Sequence, residues 1–142
     1  MKIRKIERRD RDAVIDLWRG VFADDPPHNE PARMLQAKLE VDDLVFVAEA
    51  GGSIIGTCMA GYDGHRGWLY AVAVSPQHRR SGAGSQLVIH AMQALKQLGC
   101  IKVNIQIRAA NSEVAAFYKS LGFATEDRLS LGAMVDAKKE DE

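Results

Sequence analysis

The stretch from Trp68 to Ile107 constrains the fold of this 142-residue chain more than any other. A β-rich run, Trp68 to Val74, leads through a loop carrying Gly82 and Gly84 into an amphipathic helix from Gly84 to Leu98. Leu87, Val88, Ala91, Met92, Leu95 and Leu98 recur at helical spacing and make one apolar face. Gly99 stands where such a helix ends, and Lys102 to Ile107 alternates in character like a strand. Strand, helix and strand in this order favour a right-handed parallel crossover. The economical arrangement is an α/β mixed sheet with helices on its faces.

The segments before it fit that sheet. Lys2 to Ile6 reads as a short strand. Ala13, Val14, Leu17, Trp18, Val21 and Phe22 follow the i, i+1, i+4, i+5, i+8 spacing of a helical stripe. That helix cannot pass Asp24-Asp25-Pro26-Pro27, where two prolines remove donors and fix the backbone. A second helix is expected over Ala32 to Leu39. Leu44 to Ala50 and Ser53 to Tyr62 are β-rich runs joined by Gly51-Gly52, a strong hairpin signal. Tyr62 to Gly67 is a second turn, so these runs and Trp68 to Val74 should form an antiparallel meander. Ser112 to Leu121 reads as a last helix, and the charged tail from Asp136 to Glu142 as frayed. Neither a repeat nor a linker interrupts the chain, and residues 1–142 are expected to be one domain.

Composition narrows the partners. Nineteen basic residues balance nineteen acidic ones, so no broad field favours nucleic acid or an anionic membrane. The chain holds no apolar run of the ~18 residues a membrane span needs, and its N-terminus lacks the apolar core of a signal peptide. A cytoplasmic protein is expected. Cys58 and Cys100 lack CxxC spacing and sit in apolar surroundings, where a thiol is usually a small hydrophobe. His28, His65, His78 and His90 show no ligand spacing, so no metal is expected.

Chemistry concentrates in the loop Arg79-Arg80-Ser81-Gly82-Ala83-Gly84-Ser85. It joins a buried strand to a long helix, whose first N–H groups point outward with the positive end of the helix dipole behind them. Gly82 and Gly84 let the backbone approach an anion closely, and Arg79 and Arg80 add charge. This is the logic of a pyrophosphate cradle, although a glycine-softened turn with two solvated arginines has the same composition. A Walker A loop is excluded because no Lys follows the glycines, and a Rossmann fingerprint because Leu87 replaces the third glycine.

Val74-x-Pro76 followed by Arg79-x-x-Gly82-x-Gly84 and a long helix resembles motif A of the GNAT superfamily of N-acetyltransferases. The block Arg108 to Phe123 resembles its motif B, and the order of elements matches from residue 2 to about 134. Gly61 to Gly67 looks most like a bacterial subgroup of acetyltransferases. The resemblance implies a central, mostly antiparallel, twisted sheet with a splayed parallel pair and about four flanking helices. It implies acetyl-CoA as co-substrate, with the backbone of Val72, Ala73 and Val74 pairing with the pantetheine arm and Arg79, Arg80, Ser81, Gly82, Ala83, Gly84 and Ser85 holding the pyrophosphate. It places Asn111 on the pantetheine and Tyr118 beside the sulfur. Asn111 and Tyr118 lie on one side of a helix, about 10 Å apart along its axis. A helix N-cap for Asn111 and a core position for Tyr118 are the competing roles. Members of the superfamily are commonly dimers.

Acetyl transfer needs a neutral amine, a stabilised oxyanion and a protonated leaving thiolate. A backbone N–H near Val74 suits the oxyanion, and Tyr118, with an ordinary pKa of about 10, suits the thiolate. The base is harder to assign. Relatives that acetylate protein N-termini often carry a glutamate twelve residues before the tyrosine, where this chain has Gln106. Glu49, Asp63 and His65 are the other candidates, and the turn Asp63-Gly64-His65-Arg66 gathers an acid, an imidazole and a guanidinium. Asp63 equally suits a turn. Arg66 is a candidate for an acceptor carboxylate, and Asp24, Asp25 and Asp63 for an acceptor amine. The expected activity is transfer from acetyl-CoA to a primary amine of a small or amino-acid-like molecule. A non-catalytic acyl-CoA sensor and a protein lysine or N-terminal acetyltransferase are the alternatives.

Overall fold

The computed structural model describes residues 1–23 and 26–136. The Asp24-Asp25 pair and the tail beyond Asp136 lie outside the described residues, and with them the expectations made there. Two compact units make up the chain, Met1–Asn104 and Ile105–Glu142.

The first unit is a sheet in the order β1-β2-β3-β4-β5. Its strands are β1 (Lys2–Lys5), β2 (Val45–Ala50), β3 (Ser53–Tyr62), β4 (Gly67–Val74) and β5 (Val103–Asn104). The first four pair antiparallel, and β5 runs parallel to β4. Helices α1 (Arg11–Val21), α2 (Pro31–Val41) and α3 (Ala83–Gln97) complete it. The hairpin on Gly51-Gly52, the meander and the parallel crossover are therefore as the sequence predicts. β5 is shorter than the expected Lys102 to Ile107. Alternation marks a half-buried extended chain, whereas a strand also needs a partner edge, and the ladder ends at Trp68 with Asn104.

Strand periodicity decides which helix covers which face. Val45, Val47, Met59 and Ala73 point one way and join Val14 and Trp18 of α1 and Leu35 of α2 in one core cluster. Phe46 points the other way, its ring 5.1 Å from that of His90 on α3. A fully buried Leu such as Leu35 or Leu87 stabilises the fold by roughly 1.5–3 kcal/mol. At the far edge Arg4 of β1 ties α1 to β2. Its guanidinium donates to both Asp10 oxygens at 2.7 and 3.0 Å and to Glu49 Oε1 at 2.6 and 3.0 Å. The Asp10 carboxylate also accepts from the Glu7 N–H at 2.7 Å, closing a capping box at the one-turn 3-10 helix before α1.

The second unit carries α4 (Ser112–Ser120). Asn111 caps it, its Oδ1 accepting from the Val114 N–H at 3.2 Å. Gly122, Phe123 and the aromatic side chains of α4 close the turn that follows. None of the described helices is long and apolar enough to cross a membrane.

Candidate active site

β4 changes character halfway along. Its register with β3 passes from Met59 opposite Tyr70 to Thr57 opposite Ala73, so Cys58 faces two residues, Ala71 and Val72. This is a β-bulge, and Ala71 takes a left-handed φ of 47°. Before the bulge the Gly67 N–H donates to Lys102 O at 2.9 Å, so odd-numbered residues present their backbone toward β5. After it the Ser75 N–H donates to Ile55 O of β3 at 2.8 Å. Backbone direction alternates along a strand, so Val72 and Val74 now turn their N–H and C=O groups away from β3, to the β5 side of the strand. Ala73 turns inward, and its side chain is in the core. The segment expected to pair with a pantetheine arm thus turns donors and acceptors away from β3, and among the described residues no strand pairs with it on that side.

The edge leads into the cradle. Pro76–His78 forms one 3-10 turn, held by the Ser75 hydroxyl against His78 Nδ1 at 2.8 Å. Arg79 is extended, Arg80 is left-handed at φ 66°, and Gly82 is left-handed at φ 84° as the N-cap of α3. Gly82 has no side chain to cap the helix, and the first turn holds no acidic residue. The positive end of the helix dipole therefore meets no acidic side chain in its own first turn. The Ser81 hydroxyl accepts from the Ala83 N–H at 3.3 Å and steadies the turn. Arg79, Arg80, Ser81 and Gly82 are exposed, while Ala83 is buried under the loop. A left-handed arginine costs about 1 kcal/mol or more relative to an ordinary conformation; nothing in the sequence announces it.

At the opposite end of the eight-residue β4 sits the turn with Asp63 and His65. Asp63 Oδ1 accepts from the N–H groups of His65 and Arg66, both at 2.8 Å, and the Asp63 N–H donates to Arg66 O. Those N–H groups, Arg66 first, hold the Asp63 carboxyl below the usual carboxylate range. Arg66 reaches Asn104 Oδ1 at 3.5 Å, and the His65 side chain is exposed. This turn spends its acid on its own backbone. Glu49 is likewise engaged, its carboxyl held low by the hydrogen bonds from Arg4.

In the second unit Tyr118 is buried. Its ring meets Phe117 edge-on at 4.9 Å and Phe123 at 5.4 Å. Asn111 performs the capping role with its oxygen, which leaves its amide N–H groups for other partners. Gln106 donates to Ser130 Oγ at 2.5 Å. Of the cysteines, Cys58 is buried and its thiol is pushed up to about 12 by desolvation, an inert group. Cys100 is only half-buried and donates to Lys102 O.

A mixed sheet whose fourth strand bulges and leads through a glycine-containing loop into a long helix is a fold shared with known acetyltransferases. The profile of the acetyltransferase (GNAT) family matches residues 11–123. An acetyltransferase of Yersinia pestis (strain Pestoides F) is 38% identical over 133 residues, covering 93% of this chain and 94% of that protein. An aminoglycoside N-acetyltransferase solved in complex with CoA superposes with a TM-score of 0.80 at 20% identity, over 95% of each chain. The aminoglycoside antibiotic 6'-N-acetyltransferase of Acinetobacter haemolyticus gives 0.74 at 23% identity, over 96% of this chain and 100% of that one. The chain belongs to the GNAT family of acetyltransferases. It is an acyltransferase with the mixed five-stranded sheet of that family.

Proposed function

We propose that this protein transfers an acetyl group from acetyl-CoA to a primary amine of a small or amino-acid-like acceptor. The observation that carries the reading is the continuity of the bulged β4 segment, Val72 and Val74, with the N-terminus of α3 at Gly82, where the Ser81 hydroxyl takes the Ala83 N–H and the first turn holds no acidic residue. A pantetheine arm has amides to pair with such an edge, and a pyrophosphate has the charge for such a cradle. In this reading Val72 to Val74 align the thioester, and Arg79 to Ser85 bind the pyrophosphate. Asn111 uses its amide N–H groups on the pantetheine. A solved neighbour binds CoA, which supports the choice of donor, and two neighbours are named for aminoglycoside acetylation, which supports a small amine.

The amine attacks the thioester carbon, the C–S bond breaks, and CoA leaves as thiolate. An open-edge N–H near Val74 meets the developing oxyanion. Tyr118 returns a proton to the sulfur. Of the candidates for the base, Glu49 is ion-paired, Asp63 holds its own turn and Gln106 accepts no proton, which leaves the exposed His65. An amine whose ordinary pKa is near 8 loses its proton to water readily enough for this role to be dispensable. The test is a panel of amines with acetyl-CoA, followed by release of free thiol and by calorimetric titration of acetyl-CoA alone. Saturable binding and amine-dependent thiol release are expected. Absence of binding at millimolar acetyl-CoA overturns the reading. Label from acetyl-CoA appearing in lysate proteins and in no small molecule would instead favour a protein acceptor.

A further inference from the structure

The bulge that gives β4 its open edge is held from inside the protein. Trp18 of α1 donates its indole N–H to Thr57 Oγ1 at 2.8 Å, and the Thr57 hydroxyl donates to the Ala71 carbonyl at 2.9 Å. Trp18 and Thr57 are both fully buried. Thr57 is the sole hydroxyl in the apolar run Ile54 to Ala60, a polar group that burial alone would disfavour. It stands at the register shift and pairs with Ala73.

A hydroxyl has one proton to give. Trp18 takes one of its lone pairs, and the proton goes to the Ala71 carbonyl. Ala71 adopts a left-handed φ that an alanine does not favour. With its carbonyl turned inward to Thr57, the strand beyond it resumes with Val72 and Val74 facing the open edge and Ala73 facing β3. Without the bulge the alternation set at Gly67 would continue. Ala73 would then face the edge, while Val72 and Val74 would face β3. One buried hydrogen bond therefore bears on which amides are offered to a ligand.

We infer that Thr57 is a positioning residue for acetyl-CoA, fixing through the Ala71 carbonyl the backbone direction of Val72 to Val74. Thr57 touches no substrate. The inference rests on the reading that this edge pairs with the pantetheine arm.

The experiment is calorimetric titration of acetyl-CoA into the wild type, Thr57→Val, Thr57→Ser and Trp18→Phe, with the melting temperature of each. Thr57→Val keeps the shape and removes the hydroxyl. Its acetyl-CoA affinity should fall roughly tenfold, the worth of about one hydrogen bond. Thr57→Ser restores the donor and should bind within about twofold of wild type. Trp18→Phe lowers the melting temperature but leaves the hydroxyl on Ala71, so its affinity should change less than about threefold. A loss that follows melting temperature across all three variants, or Thr57→Val binding like wild type, overturns the positioning role. If Thr57→Val does not fold, Thr57→Cys offers a weak donor and should bind roughly threefold more weakly; equality with wild type is again the contrary result. A wild type that does not bind acetyl-CoA overturns the functional reading and this inference together. A wild type that binds beside an unaffected Thr57→Val overturns the inference alone.

Discussion

The two ends of β4 carry similar polar residues and use them in opposite ways. At its start, the turn from Asp63 to Arg66 folds its polarity inward: the carboxylate accepts two backbone N–H groups and the guanidinium reaches Asn104. At its end, the loop from Arg79 to Gly82 exposes both arginines, with two left-handed residues and no acid in the first turn of the helix that follows. The difference separates a turn whose carboxylate is already hydrogen-bonded from a loop whose arginines are exposed. A cluster whose donors and acceptors satisfy each other has little left for a ligand, whereas a strained, uncompensated backbone has free energy to gain from one.

The largest effect should come from Tyr118. Tyr118→Phe keeps the ring contacts and removes the acid, so turnover should fall about a hundredfold with acetyl-CoA affinity retained. Steady-state kinetics beside calorimetry separate the two quantities. Equal turnover would return Tyr118 to a purely packing role. Next is Gly82→Val, which puts a branched side chain at φ 84°. Strain plus lost N–H contacts should weaken acetyl-CoA roughly fiftyfold, and unchanged affinity would remove the cradle from the site.

How much of this was legible in the residues follows the same divide. Apolar periodicity gave every helix and the meander to within two or three residues, because burial against one face is a signal carried by side chains. Gly82 pointed to the tight turn before α3 because a residue without Cβ adopts its φ of 84° most readily. Ala71 and Arg80 advertised nothing, since neither residue type favours the left-handed backbone it adopts. Thr57 was the available clue to the bulge, a lone hydroxyl in an apolar strand. Asp63 shows the converse problem. An acid beside an imidazole reads as chemistry in one dimension, and only the fold reveals that two N–H groups already hold it.

Arg4 tests the compensated class away from β4. Its side chain is 12% exposed, and it bonds two carboxylates. Arg4→Met should cost about 2 kcal/mol of stability by leaving Asp10 unpaired, without altering acetyl-CoA affinity. Hydrogen bonds from Arg4 hold the Asp10 and Glu49 carboxyls below their ordinary values of 3.8 and 4.5. A depressed carboxyl pKa stabilises the fold above the unfolded value, and that contribution is lost as pH falls through the folded one. Wild type should therefore lose stability steadily below about pH 4.5, and Arg4→Met should show a shallower loss over the same range. Identical acid profiles in chemical denaturation would remove the ion pair from the account.

The smallest expected effect is the sharpest test of the comparison. Asp63→Asn preserves an oxygen for the N–H groups of His65 and Arg66 but has no basicity. If the turn is architecture, kcat/KM for the best amine of the panel should change less than about twofold, and the melting temperature should move little. A tenfold fall with the fold intact would mean that the carboxylate serves the acceptor despite its two backbone partners. His65→Ala distinguishes the routes by which that could happen. A loss shared by both variants points to an acid–imidazole pair taking the amine proton, and a loss confined to Asp63→Asn points to charge attraction for the ammonium form. The latter weakens with added salt, because an exposed carboxylate is screened over about 8 Å at physiological ionic strength.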